Sequence, residues 1–236
     1  MNELTQLQVT EIIAHMRQQG TESVRQKQAH FAIDSNFNLG LTMPQVKEIA
    51  KRYKKNHELA LALWHTNIHE ARLLATLIAD PKKTDLVMIQ SWHKDLNSWD
   101  LVDGFCSNLL RKTNFASDLI HEWAATSGEY QKRAAFSLLA YLAVHDKKAN
   151  DAYFISYFEL IKLHAFDERN FVKKAVNWSI RQIGKRNQKL CKRCIALCYE
   201  LQKFDDKAAK WVSKNALQEL ESYLATGKIK SLGGNA

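Results

Sequence analysis

The sequence predicts an all-α protein of stacked helical hairpins, and three observations carry that prediction. Eight Gly and two Pro among 236 residues come to about 4%, against a usual combined share of about 12%, which argues against a sandwich or barrel built from tight turns. Six Trp, seven Tyr and ten Phe are spread along the whole length, and 46% of the chain is apolar, which argues against disorder and for a sizeable core. Apolar residues then recur at helical rather than alternating spacing in segment after segment.

Taken in order, segments 4–19 and 21–32 open the chain. Thr42 followed by Gln45 has the form of a capping box and starts a helix over 43–54; segment 57–66 follows. Segment 68–79 carries an apolar stripe of Leu73, Leu74, Leu77 and Ile78. Asp80 before Pro81 reads as an N-cap with proline in the first turn, ahead of segment 84–95. Val102, Cys106 and Leu109 form the stripe of segment 98–111, which 114–126 follows. Ala134, Ala135, Leu138, Leu139 and Leu142 form that of 129–144, and 149–163 comes next. Phe171, Val172, Ala175, Val176, Ile180 and Ile183 mark 168–186, before the closing segments 188–202 and 206–225. Connectors of two to five residues imply antiparallel neighbours. The expectation is one α-helical repeat domain over 1–236, with an N-terminal helix over 1–20 and a flexible tail over 226–236.

A weak repeat emerges on superposing the apolar helices. Residues 72, 103, 133 and 174 fall in one column, at offsets of 31, 30 and 41 residues. This suits HEAT-like or armadillo-like hairpins stacked into a solenoid with a concave basic face; an irregular helical bundle is the alternative. The charge is concentrated too. Of a net +9, the stretch from Lys162 to Arg193 holds ten Lys or Arg against Asp167 and Glu168, a local net of +8. Such a patch fits a polyanion.

Projected at 100° per residue, Lys174, Trp178, Arg181 and Lys185 lie opposite the stripe of their helix. An aromatic set between cations suits a sugar-phosphate backbone, although a solvated face with Trp178 packed on a neighbouring helix reads the same way. Arg72 and Arg133 also project away from their own stripes. Asp103 is the odd member of the column, one turn after Trp99 at the margin of its stripe. An acid among cations would repel phosphate unless it faces a cation that develops on the substrate, or is held in a salt bridge, for example to Arg133.

Other constellations point to packing. His65 and His69 stand one turn apart without the Glu of a zincin, so core or surface histidines are expected; Cys191, Cys194 and Cys198 share a helical face without a fourth ligand, so buried packing is expected, and no metal. Glycine loops for phosphates, serine elbows and dinucleotide fingerprints are absent, so no cofactor is expected. With no apolar run of 18 residues and no signal-peptide pattern, the expectation is a soluble cytoplasmic protein without a membrane partner, and a monomer.

Three stretches, Ser98-Trp99-Asp100-Leu101-Val102-Asp103, Gln131-Lys132-Arg133-Ala134-Ala135 and Val172-Lys173-Lys174-Ala175-Val176-Asn177-Trp178-Ser179-Ile180-Arg181, resemble the bacterial DNA alkylation repair family of HEAT-like repeats, the alkylpurine DNA glycosylases of the AlkD type. The resemblance spans roughly residues 20–220. It implies excision of cationic alkylated purines from duplex DNA, without metal, redox cofactor or base-flipping pocket, with Trp99, Asp103, Arg133 and Trp178 as the functional residues. Both tryptophans and the arginine would hold the deoxyribose-phosphate, while Asp103 would stabilise the oxocarbenium-like sugar. Lys132, Lys173, Lys174, Arg181, Lys185, Arg72, His30 and Phe31 are the expected DNA contacts. One departure stands out. Where the family usually has Arg, an aromatic and Gly, this chain has Ala29-His30-Phe31-Ala32, which removes polar contacts to DNA. A non-catalytic DNA-binding module and a protein-interaction scaffold are the competing readings.

Overall fold

Helices begin where the sequence supplies an acceptor for the open N–H groups of a first turn. In the computed structural model, which describes residues 2–33 and 37–226, Asn2, Thr21, Asn56, Asp85, Asn150 and Asn187 each accept a backbone N–H three residues on. The capping box forms as expected, the Thr42 N–H donating to Gln45 Oε1 at 2.8 Å. Asp80 and Pro81 behave differently. Asp80 holds a turn, its carboxylate accepting from Lys82 N–H at 3.0 Å and its carbonyl from the Thr84 hydroxyl at 2.9 Å. The helix starts only at Leu86, because Asp85 stands directly before the apolar run and takes over as N-cap. No strand occurs among the described residues, and no helix among them is long and apolar enough to cross a membrane.

The chain divides into two compact units between Ala116 and Ser117. The first holds α1 (Glu3–Gln19), α2 (Glu22–His30), α3 (Met43–Arg52), α4 (His57–Trp64), α5 (His69–Ile78), α6 (Leu86–Lys94) and α7 (Trp99–Gly104). Its core is built around α5, buried along nearly all its length and packed on α3, α4 and α7. Trp64 stacks on Trp92 with ring centroids 4.0 Å apart, and Phe105 tilts against both. Each such side chain contributes about 1.5–3 kcal/mol through burial. The helix expected over 98–111 is not uniform. After six residues α7 passes into a π-helical turn at Phe105–Leu109 and a 3-10 turn at Leu110–Lys112. A π turn inserts one residue into the helical register, so Phe105, Cys106, Leu109 and Leu110 all become fully buried.

The second unit holds α8 (Ala116–Ala124), α9 (Glu129–His145), α10 (Asp151–Ile155), α11 (Phe158–His164), α12 (Asn170–Gly184), α13 (Gln188–Gln202) and α14 (Lys207–Thr226). Segment 149–163 breaks in two at Ser156, whose hydroxyl bonds back to the Tyr153 carbonyl at 2.7 Å in competition with the helical ladder. Small residues on α9 and α12, among them Ala134, Ala135 and Ala175, are fully buried where the two helices pack along each other. Close approach recurs between α12 and α14. A Cβ at Gly184 would lie 2.5 Å from Leu220 Cδ2, so a larger residue there would force Leu220 to shift. The tail expected over 226–236 lies outside the described residues, apart from Thr226.

Candidate nucleic-acid interface

In the first unit α7 is latched to α5 at its start. Asp100 Oδ2 meets His69 Nε2 at 2.8 Å, while Oδ1 accepts from the Ser98 hydroxyl at 2.7 Å and the Leu101 N–H at 2.9 Å. Burial works against both charges, but the hydrogen bond and mutual attraction prevail, holding the His69 pKa above its ordinary value and the Asp100 pKa below. The latch fixes the turn that carries Trp99. Its indole N–H donates to the Phe31 carbonyl at 2.9 Å, satisfying an open carbonyl at the end of α2. Phe31 is 48% exposed and meets His30 edge-on at 5.3 Å. Asp103 lies one turn after Trp99, half-buried.

The loop that follows α2 has its own anchor. Glu70, fully buried, accepts from the N–H groups of Leu39 at 2.8 Å, Gly40 at 2.8 Å and Leu41 at 3.1 Å, and from the Gln28 amide at 3.3 Å. Gly40 sits there at φ +83°, a conformation other residues rarely adopt.

In the second unit the interface residues sit on α9 and α12. Trp178 is half-buried and meets Tyr141 in a T-shaped contact with ring centroids 4.9 Å apart. With the Gln182 amide oriented by its neighbours, its oxygen accepts from Trp178 Nε1 at 2.8 Å and from Lys185 Nζ at 3.1 Å. Lys185 also donates to Glu219 Oε1 at 2.6 Å, and Arg181 donates to Glu219 Oε2 at 2.6 Å. Burial opposes the Glu219 charge, but Lys185 and Arg181 outweigh it and hold the carboxyl below the usual range.

These positions redistribute the predicted cations. Arg72 does not point outward. It is only 7% exposed, donating to the Trp64 and Asp95 carbonyls and Asn67 Oδ1, pairing with Asp95 and lying 5.1 Å from the Trp64 ring centre. Arg133 is 4% exposed and donates to the Phe171 carbonyl at 3.1 Å, at the seam of α9 and α12. A projection places a side chain relative to its own helix and takes no account of the helix packed across it. Lys132 lies 3.7 Å from Asp167, and Lys173 sits over Trp211 at 5.4 Å. Lys174 is half-exposed and makes no ion pair among the described residues.

The +8 stretch is accordingly less available to a polyanion than its count, since Glu159, Glu200 and Glu219 from outside it pair with its cations and others are held by bonds within the fold. Arg169 grips Asp167 through two bonds, Lys162 pairs with Glu159 and Glu200, and Arg186 donates to the carbonyls of Ala143, Asp146 and Ala149 at the end of α9. Glu70, Asp100 and Glu219 had no signal in the sequence projections, and His69 was expected only as a core or surface histidine. His69, Glu70 and Glu219 are buried and Asp100 is half-buried, each against a partner at least 29 residues away. Cys191, Cys194 and Cys198 are buried where α13 packs on α14, and burial, with the Glu221 charge, pushes the Cys198 thiol up to about 12. No group of three or more His, Cys, Asp or Glu suited to a metal occurs among the described residues.

Comparison with known proteins adds to this geometry. The sequence model of a family described as DNA alkylation repair enzyme matches residues 12–220. No curated protein gives a significant match. A solved structure, described as a new family of proteins related to the HEAT-like repeat DNA glycosylases with affinity for branched DNA structures, aligns over 93% of this chain and 95% of its own. Its TM-score is 0.79 at 21% identity, which establishes the fold as HEAT-like.

Proposed function

Since this chain belongs to the DNA alkylation repair enzyme family, we propose that it is a DNA glycosylase acting on cationic alkylated purines in duplex DNA. The observation that carries the reading is the half-buried Asp103 carboxylate one turn after Trp99, whose indole is anchored to the Phe31 carbonyl. In this reading Trp99 on the first unit and Trp178 on the second each contact the deoxyribose-phosphate backbone, while Arg133, 4% exposed and bonded to the Phe171 carbonyl, is left to the seam of α9 and α12. Lys132, Lys173 and Lys174 contribute phosphate contacts, and His30 and Phe31 border the DNA beside Trp99. Arg181 and Lys185 join them with part of their charge already balanced by Glu219. Arg72 is left to the core.

An alkylated purine carries its positive charge before the reaction begins. The N-glycosidic bond breaks with its electron pair going to the purine, which leaves neutral and needs no acid. Positive charge grows on the sugar, where the fixed carboxylate of Asp103 stabilises it. Water then adds at the sugar carbon and releases its proton, oriented by the same carboxylate. The expected products are free alkylpurine and an abasic site.

Incubation with methylated duplex DNA, followed by alkaline cleavage at abasic sites, tests this. Wild type should release base, and Asp103→Asn should be slower by about 100- to 1000-fold, the usual effect of removing one preorganised electrostatic group. Absence of release by wild type, or equal release by the variant, overturns the reading. Binding of branched DNA without excision is the second reading, favoured by the affinity described for the solved relative. Tight binding to a four-way junction together with no release from methylated duplex would select it.

A further inference from the structure

Glu219 is an acid among the cations of α12, yet it belongs to a different helix. It is 6% exposed on α14, which packs on α12 closely enough at Gly184 that a Cβ there would meet Leu220. Its two carboxylate oxygens divide between Arg181 and Lys185, each at 2.6 Å. Lys185 is itself 3.1 Å from the amide oxygen of Gln182 that accepts the Trp178 indole N–H. A single hydrogen-bonded chain thus runs from Glu219 to the indole.

Such an acid lowers the attraction of its surroundings for phosphate, and the geometry gives it a second consequence. Without it, Arg181 and Lys185, one turn apart, would repel each other and turn toward solvent. Lys185 would then leave the Gln182 amide, which could rotate, and the indole would lose its fixed acceptor. We propose that Glu219 is a positioning residue of the interface, which orients Trp178 through Lys185 and Gln182 while reducing the phosphate affinity of Arg181 and Lys185. Its role in catalysis rests on the glycosylase reading above. Its role in orienting the indole does not.

The full chain labelled with 5-fluorotryptophan offers a direct readout, with the Trp178 fluorine resonance assigned by its loss in Trp178→Phe. Glu219→Gln should shift and broaden that resonance and leave Trp99 in place. With undamaged duplex DNA, the same variant should bind as tightly as wild type or more so, with a log–log salt slope steeper by about 0.9 for each cation that gains a phosphate. Turnover on methylated duplex at saturating enzyme should fall about 10- to 100-fold. Gln182→Leu breaks the chain beyond the ion pairs, so it should move the Trp178 resonance and leave the salt slope unchanged.

An unmoved Trp178 resonance in both variants overturns the proposal, as does weaker binding by Glu219→Gln with a shallower slope. If Glu219→Gln fails to fold, Gln182→Leu decides alone: an unmoved resonance refutes the positioning role, and a shifted one with unchanged salt slope supports it. These spectra and slopes need no base release. A chain that shows them without excision overturns the glycosylase reading only.

Discussion

Replacing Asp100 by Ala removes the acceptor of three hydrogen bonds at the start of α7 and leaves the His69 imidazole, 4% exposed, facing an emptied site. Breaking a buried pair by deleting one partner costs about 3–5 kcal/mol. For a chain of this size that corresponds to a fall in Tm of about 6–20 °C. Asp100→Asn separates geometry from charge. Its oxygen still accepts from Ser98 and Leu101, and its amide can donate to a neutral His69, so only the charge-assisted part is lost, about 1–2 kcal/mol. The sign with pH follows from the two shifts. The raised His69 pKa gives stability that is complete below the ordinary histidine value of about 6.5 and fades as pH rises through the folded value. The depressed Asp100 pKa gives stability that is present above about 3.9 and fades as pH falls through its folded value. Wild type should exceed Asp100→Asn most between about pH 4 and 6.5, with the gap narrowing at higher pH. Urea unfolding followed by circular dichroism across pH 4.5–9 measures this. A cost below about 1 kcal/mol for Asp100→Ala, or the same pH profile for wild type and Asp100→Asn, refutes the latch.

Salt-dependent duplex binding should distinguish Lys174 from Arg181: Lys174→Ala is expected to lower the log–log slope by about 0.9, and Arg181→Ala by less, because Glu219 already balances that guanidinium. Gly184→Ala should destabilise by about 1–3 kcal/mol in thermal unfolding, since its Cβ would collide with Leu220. Glu70→Ala leaves three N–H groups of residues 39–41 without their buried acceptor, so a loss of about 3 kcal/mol or more is expected, with faster hydrogen exchange at those amides.

Much of this molecule is legible one helix at a time. A capping box such as Thr42–Gln45 or an apolar stripe such as Val172–Val176–Ile183 depends on residues a few positions apart, so helical class and most helix starts follow from the chain itself. Asp80 shows the limit, since two local caps compete and the one beside the apolar run prevails. The π turn after Gly104 is not legible in that way, because its extra residue is held by packing against Trp64 and Trp92.

The interface divides similarly. Trp99, Asp103, Arg133 and Trp178 are candidates from motif and projection alone, which use only residues within single helices. Only the tertiary structure decided which charges remain available: Arg72, Arg133 and Arg186 turn inward to carbonyls of other segments, and Arg181 and Lys185 meet an acid 38 and 34 residues away. Charge summed along a chain counts every cation as exposed. A cation that becomes buried must find a partner, and that partner lies on whichever segment packs across it.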